Sequence, residues 1–513
     1  MENSLSRLKN LVQVLKPEEL TLAEKHLSAY DTPNTSKMFL VYKAMIKDTD
    51  IQYEKLKKLI SPNNSDKTFK QLLNRTINRV KESLILDINI FRKGNYSKVF
   101  QKRFEIRKEL VQARVVRGRG LINESILIYD KIIRAAKKYE LYDELIETLQ
   151  LKQNALVNTK GLKAFEEMEE EIDFYTHARN LYTSAVNVYN KYYAVVNFSS
   201  TKKGNLKILK KTINELELSI QETNSANIET LFYLLSLEYN SLTKNYIENQ
   251  VIGEKFLMLI TENPAVESKP RQVYVLNLLL ENKILLLDFK SSISYGKRAM
   301  SLLAGTLNRN LYYCLELLSH AYYYLNEFEK VEHYHKEMEK FPLYRKEVYQ
   351  RTKVFFLRAM TYFSKEQFRE ALLLLNNMEE LEKEKEGWNV WIRIMRILCS
   401  IELLKLNMID YDVESFRRYM ERTELRKDVK PRDKLILKVL IDLDRTYYDF
   451  EDTKKSKATE LEELSKVNGK YSWEAQTPEL ILFHDWYQAK LENRRYVADF
   501  DRFRREHKPL TEL

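Results

Sequence analysis

Residues 308–341 read NRNLYYCLELLSHAYYYLNEFEKVEHYHKEMEKF, and the architecture of the chain can be built outward from their pattern. Leu315, Leu318, Ser319 and Tyr322 are spaced three, one and three residues apart, so they share one face of a helix. A polar break at Asn326 and Glu327 follows, and Phe328 and Val331 open a second amphipathic helix. The stretch predicts a helical hairpin. The same pattern returns on both sides of it. Taken at the residue just after each internal turn, the hairpins fall at Leu121, Leu162, Leu206, Tyr246, Phe289, Phe328, Phe368, Tyr411 and Phe450, with a weaker tenth instance near Tyr496. Successive spacings are 41, 44, 40, 43, 39, 40, 43 and 39 residues. In the later units a polar residue precedes the anchor (Asp288, Glu327, Gln367, Asp410, Asp449), whereas the earlier turns use Gly118, Gly120, Gly161 and Gly204. A period of about 40 residues with two helices per unit predicts a solenoid. One hairpin cannot bury its apolar face alone, and stacking buries that face against both neighbours.

The units resemble tetratricopeptide repeats, most clearly over residues 276–375. Leu315, Leu318, Ser319, Tyr322 and Phe328 match that family's large, leucine, small and aromatic positions, with Val331 in the small slot of the second helix. Phe355, Ala359, Tyr362, Phe368 and Ala371 match in the next unit, where Arg358 occupies the leucine slot. Leu276, Leu279, Phe289 and Ala299 match in the unit before, while Leu280 and Ser292 depart. The period exceeds the family's usual 34. HEAT-like repeats share a period near 40, and the residues leave that alternative open. The resemblance implies a right-handed all-α solenoid of helical hairpins whose concave face holds a protein or peptide.

Composition agrees with an all-helical chain. Only 10 Gly and 9 Pro occur in 513 residues, so helix breakers are scarce. Cys314 and Cys399 sit among apolar residues, which reads as core filling rather than a disulfide or zinc site. The N-terminus, MENSLSRLKNLVQVLKPEEL, has no apolar signal core, and no apolar run is long enough to span a membrane, so the expected location is cytoplasmic. The net charge of +11 is uneven: residues 1–120 hold 25 Lys and Arg against 13 Asp and Glu, and the remainder is nearly neutral.

Residues 1–92 do not follow the repeat and are expected to form a separate basic helical domain, with the array over 93–513. Helices are expected at about 4–15, 17–29, 36–47, 51–60 and 66–91. Turn clusters lie at Tyr30–Thr35 and Ser61–Ser65, and Ser65 or Asp66 is placed to cap the last helix. The order of elements loosely resembles a helix-turn-helix or winged-helix module. Lys67, Lys70, Arg75 and Arg79 stand on the last helix, and Arg103, Arg107, Arg114, Arg117 and Arg119 follow shortly after. Clustered cations of this kind suit contact with a polyanion. Tyr312, Tyr323, Tyr324 and Tyr349 are candidate peptide anchors, because consecutive tyrosines on a helix are not expected all to face the core.

Patterns that would carry a reaction are sparse. His333 and His335 are two apart and point in different directions on a helix, so they chelate poorly together. The acidic runs at 166–171 and 379–386 read as solvated helix faces. Arg117-Gly118-Arg119-Gly120 lacks the strand-to-helix setting and the Lys-Ser/Thr of a phosphate loop. The expected function is a non-enzymatic scaffold, without cofactor or metal, that binds a protein or peptide on the array and an acidic partner at its basic N-terminal region. The alternative is a regulator with a nucleic-acid-binding or ribosome-binding head and a repeat body that acts as a sensor.

Overall fold

The computed structural model describes residues 4–28, 36–84, 97–198, 202–303, 307–381, 386–424 and 430–506. Among them every regular element is a helix. They divide into two compact units, Met1–Leu181 with Pro264–Glu267, and Tyr182–Asn263 with Ser268–Leu513.

In the first unit α1 (Ser4–Val14), α2 (Pro17–Ser28), α3 (Lys37–Lys47), α4 (Tyr53–Ile60) and α5 (Asp66–Ser83) close on a core that includes Leu8, Ala23, Tyr42, Met45, Leu56, Phe69, Leu73 and Val80. Three of the starts have a local cause. Pro17 opens α2 with Glu18 and Glu19 in its first turn, where a helix favours negative charge. Ser36 accepts from Phe39 N at 3.4 Å, and Ser65 accepts from Thr68 N at 3.2 Å. The last helix ends at Ser83 rather than near residue 91. Residues 85–96 and the Tyr30–Thr35 cluster lie outside the described residues. A second core, built on Ile106, Leu110, Tyr129, Ile132, Leu145 and Leu149, joins α6 (Lys98–Gly118), α7 (Ile122–Lys138) and the start of α8 (Tyr142–Phe198). Gly120, at φ 82°, makes the turn expected there. Gly161 also breaks the helix where expected: its φ of 72° and ψ of −168° are non-helical, so α8 is two helices that meet at a kink just before Leu162.

The second unit is a TPR-like array of helical hairpins. Its elements are α9 (Lys202–Thr223), α10 (Ala226–Leu242), α11 (Tyr246–Glu262), α12 (Lys269–Leu285), α13 (Phe289–Leu302), α14 (Arg309–Tyr324), α15 (Phe328–Met338), α16 (Pro342–Lys346), α17 (Val348–Ser364), α18 (Phe368–Asn376), α19 (Trp388–Glu402), α20 (Leu406–Glu424), α21 (Pro431–Arg445), α22 (Phe450–Ser456), α23 (Ala458–Ser465), α24 (Phe483–Leu491) and α25 (Asp501–Glu506). Six hairpins turn in the same way. Lys244, Leu287, Asn326, Glu366, Leu404 and Tyr447 take left-handed φ values between 52° and 60° or just above, up to 63°. The amide of the next residue bonds back across the turn: Asn245 to Asn240 O at 2.8 Å, Asp288 to Lys283 O at 2.8 Å, Glu327 to Tyr322 O at 2.9 Å, Gln367 to Tyr362 O at 2.9 Å, Lys405 to Ser400 O at 3.0 Å and Tyr448 to Leu443 O at 2.7 Å. This Schellman bond satisfies a carbonyl that the helix end leaves free.

Tyr246, Phe289, Phe328, Phe368 and Phe450 are each the first residue of a second helix, as expected. Three other anchors are corrected. Tyr411 lies inside α20 and is 76% exposed, because the turn falls at Leu404. Leu206 and Gly204 lie inside α9, not at a turn. Tyr496 belongs to no hairpin. Residues 466–482 and 492–500 are non-helical, and the C-terminal segment runs back along the row of turns in reverse order. Tyr487 donates to Phe450 O at 2.6 Å, Lys490 pairs with Glu402 at 2.9 Å, and Arg495 pairs with Glu366 at 3.4 Å. Asn326 donates to Ala498 O at 3.0 Å, and Arg504 pairs with Asp288 at 3.2 Å.

Candidate functional site

The helices α12, α14 and α17 are the first helices of three successive hairpins. With the short α16 they line a pocket of about 290 Å³. The lining comes from helical spacing: Tyr274 and Asn277 are three apart on α12, Tyr313 and Glu316 three apart on α14, and Gln350 and Lys353 three apart on α17. Two of its charges pair with each other. Lys353 forms an ion pair with Glu316, and its ammonium lies 5.3 Å from the ring centre of Tyr349 and 5.6 Å from that of Trp388. Next to the pocket, burial raises the Glu281 carboxyl, the Tyr313 hydroxyl donates to it and opposes the rise, and the charge of Glu316 adds to it.

Three buried oxygens on the lining residues have no hydrogen-bond partner among the described residues: Asn277 Oδ1, Tyr312 Oη and Gln350 Oε1. Asn277 uses its amide nitrogen on Asn310 O at 2.9 Å, which fixes the side chain and leaves its oxygen over. Leaving a buried acceptor unsatisfied costs about 1–3 kcal/mol. Three such atoms on one pocket form a set of groups suited to hydrogen-bond donors.

The structure separates the four expected tyrosine anchors. Tyr312 lines the pocket, with its ring edge-on to Phe341 at 5.6 Å. Tyr349 is half-buried and donates to Glu386. Tyr323 and Tyr324 are 0% and 3% exposed and are not surface anchors. The expectation that consecutive tyrosines cannot all be buried fails because the end of α14 is covered on every side. Tyr322 stacks on Tyr334 at 5.6 Å, and Tyr323 donates to Leu480 O at 3.0 Å. Tyr324 accepts from Gln476 N at 2.9 Å and meets Trp473 and Phe500 at 5.6 and 4.9 Å. Sequence reasoning missed Tyr274, Asn277 and Gln350. Their one signal is an amide or phenol recurring on the first helix of each unit.

The basic residues also divide. On α6, Arg107 donates to Glu144 at 2.8 Å, Arg103 approaches the same carboxylate at 3.5 Å, Arg114 pairs with Glu147, and Arg117 donates to Leu151 O at 3.2 Å. The expected arginine stripe is thus tied to the first turns of α8, and among the described residues only Arg119 of that set is exposed without a contact of this kind. On α5, Lys67, Lys70 and Arg75 are exposed and make no ion pair among the described residues, while Arg79 is bound to Glu82 at 2.7 Å. His333 is exposed and His335 is buried. Among the described residues no group of three metal-ligating side chains comes together, and no helix is long and apolar enough to cross a membrane.

No family model matches the chain, and no curated protein matches it. Among solved structures it is similar to a Signal Transduction ATPase with Numerous Domains (STAND) protein with a tetratricopeptide repeat sensor from Pyrococcus horikoshii, at 15% identity and a TM-score of 0.41. The match covers 82% of this chain and 66% of that one. The repeat architecture rests on the hairpins and their turns: this chain is a TPR-like helical-repeat protein.

Proposed function

We propose that this protein is a non-enzymatic interaction scaffold that holds an extended peptide segment of a partner protein against α12, α14 and α17. The observation that carries this reading is the set of unpaired oxygens on Asn277, Tyr312 and Gln350 around one pocket. An extended peptide presents a row of backbone N–H groups, which are the donors that such acceptors lack. Tyr274, 44% exposed at the rim, offers a ring against which a side chain can pack. The acidic groups in and beside the pocket are engaged, Glu316 by Lys353 and Glu281 by Tyr313, which suits holding a ligand more than proton transfer. In this reading the basic N-terminal helices are a second docking region, for an acidic partner.

A selection of displayed random peptides on the full chain tests the pocket. Enriched peptides are then titrated by fluorescence anisotropy against the wild type, Tyr274→Ala and Gln350→Leu. The expected result is a loss of roughly tenfold or more in each variant, the scale of one lost contact of about 1.4 kcal/mol. No enriched peptide, or equal affinity for all three proteins, overturns the reading.

A further inference from the structure

We infer that the exposed face of α5 docks in the major groove of double-stranded DNA. The inference rests on reading the N-terminal helices as a docking region, and it names the partner. The inner side of α5 is filled by Phe69, Leu73, Thr76, Ile77 and Val80. On the outer side Lys67, Lys70, Gln71, Asn74, Asn78 and Lys81 are all exposed and follow one another at helical spacing, with Arg75 beside them. None of these seven side chains makes a hydrogen bond or ion pair with another described residue. Between Asp66 and Glu82 the helix has no carboxylate, and both of those acids are held at its ends, Asp66 by Lys57 at 2.5 Å and Glu82 by Arg79 at 2.7 Å. The N-terminal helices as a group, α5 included, carry the same sign: residues 4–28 and 36–84 hold 15 Lys and Arg against 8 Asp and Glu, a net +7.

The composition of the face separates duplex DNA from other polyanions. Lysines and arginine neutralise phosphates, and the interleaved Asn and Gln amides can both donate to and accept from base edges. No large hydrophobic side chain of α5 is exposed, so the face offers neither the apolar anchor of a protein interface nor a wedge for a membrane. A helix of 18 residues is about 27 Å long and about 10–12 Å across, which fits the major groove of B-DNA at about 12 Å. The major groove of an RNA duplex is too narrow to admit it.

The test is anisotropy titration of the full chain with a labelled mixed-sequence DNA duplex, an RNA duplex of the same sequence, and poly-glutamate. With about four phosphates neutralised, affinity for DNA should fall roughly 100-fold between about 50 and 200 mM salt. Lys67→Glu/Lys70→Glu/Arg75→Glu should bind DNA at least about tenfold more weakly at the lower salt. Lys255→Glu/Lys290→Glu/Lys297→Glu, the same charge change at exposed sites of the other unit, should stay within about twofold of wild type. Asn74→Ala, which keeps every cation and the helix, should retain the salt slope. No binding to DNA at low salt, equal loss in both triple variants, or tighter α5-dependent binding to the RNA duplex overturns the inference. Binding of poly-glutamate through α5 without DNA binding overturns it too, but leaves the docking reading in place. Failure of all three ligands removes both.

Discussion

Asp433 stands in the first turn of α21 with one carboxylate oxygen accepting from Trp391 Nε1 at 3.1 Å and the other without a partner among the described residues. Burial, with the nearby Glu479 carboxylate adding to it, pushes its pKa up to about 7. An unfolded Asp titrates near 3.9, so the folded chain holds this proton over a window where the unfolded chain has lost it. The stability Asp433 contributes is therefore whole below about pH 4 and is lost as the pH rises through 7. Asp433→Asn keeps the shape and the bond from Trp391 without the charge. The variant should gain on the wild type by about 2–3 kcal/mol between pH 5 and pH 8, read from urea unfolding at both. His335 acts in the opposite sense. Burial first, then the charge of Arg358 and His320, hold it down to about 3, so its contribution is present above about pH 6.5 and lost as the pH falls. That effect is common to both proteins, and the difference between them isolates Asp433. A gap that does not change with pH would assign the raised carboxyl no part in stability.

At the scale of elements, the hairpins were legible where local chemistry set the turn. A polar residue followed by Phe at 328 and 368 located the first residue of a second helix, because the turn closes within six residues. Leu404 hid its turn, since a leucine gives no signal of a left-handed backbone, and Asp410-Tyr411 imitated the pattern a few residues on. The site was less legible because its determinants are distant in sequence. Arg107 and Arg114 meet Glu144 and Glu147 from another helix, and Tyr324 is covered by Trp473 and Phe500. Packing between hairpins was equally hidden. A Cβ at Gly296 of α13 would lie 2.5 Å from Leu318 Cδ2 and 2.7 Å from its Cγ, inside a fully buried contact with α14. Gly296→Val should therefore destabilise by about 1–3 kcal/mol through overpacking, despite a small gain in helix propensity. Gly118→Ala, where nothing lies within 4 Å, should leave the urea midpoint unchanged or raise it. Equal behaviour of the two would mean that α13 and α14 have room to part.

At the scale of the molecule, a repeat array is expected to behave as a sum of nearest-neighbour terms, with each hairpin free to open beside its neighbours. The second unit departs from that rule. Gln476 bonds to Tyr324 across 152 residues and Arg504 pairs with Asp288 across 216, so one segment ties several hairpins together. Contacts of this separation form only after a large loop-closure cost, and they make opening of one turn depend on release of the segment. Trp473 is the centre of the tie: its ring lies 5.6 Å from Tyr324, 5.1 Å from Phe500 and 5.0 Å from Phe503, and its indole N–H donates to Glu479 O at 2.9 Å. Trp473→Ala should cost about 3–5 kcal/mol. Its effect should also be spread: in hydrogen exchange followed by mass spectrometry, peptides covering 311–327 should lose protection together with those covering 473–500, although the substituted residue belongs only to the second set. Loss confined to 466–506 would mean that the hairpins hold one another without the C-terminal segment, and that the buried Tyr323 and Tyr324 are packed by their neighbours alone.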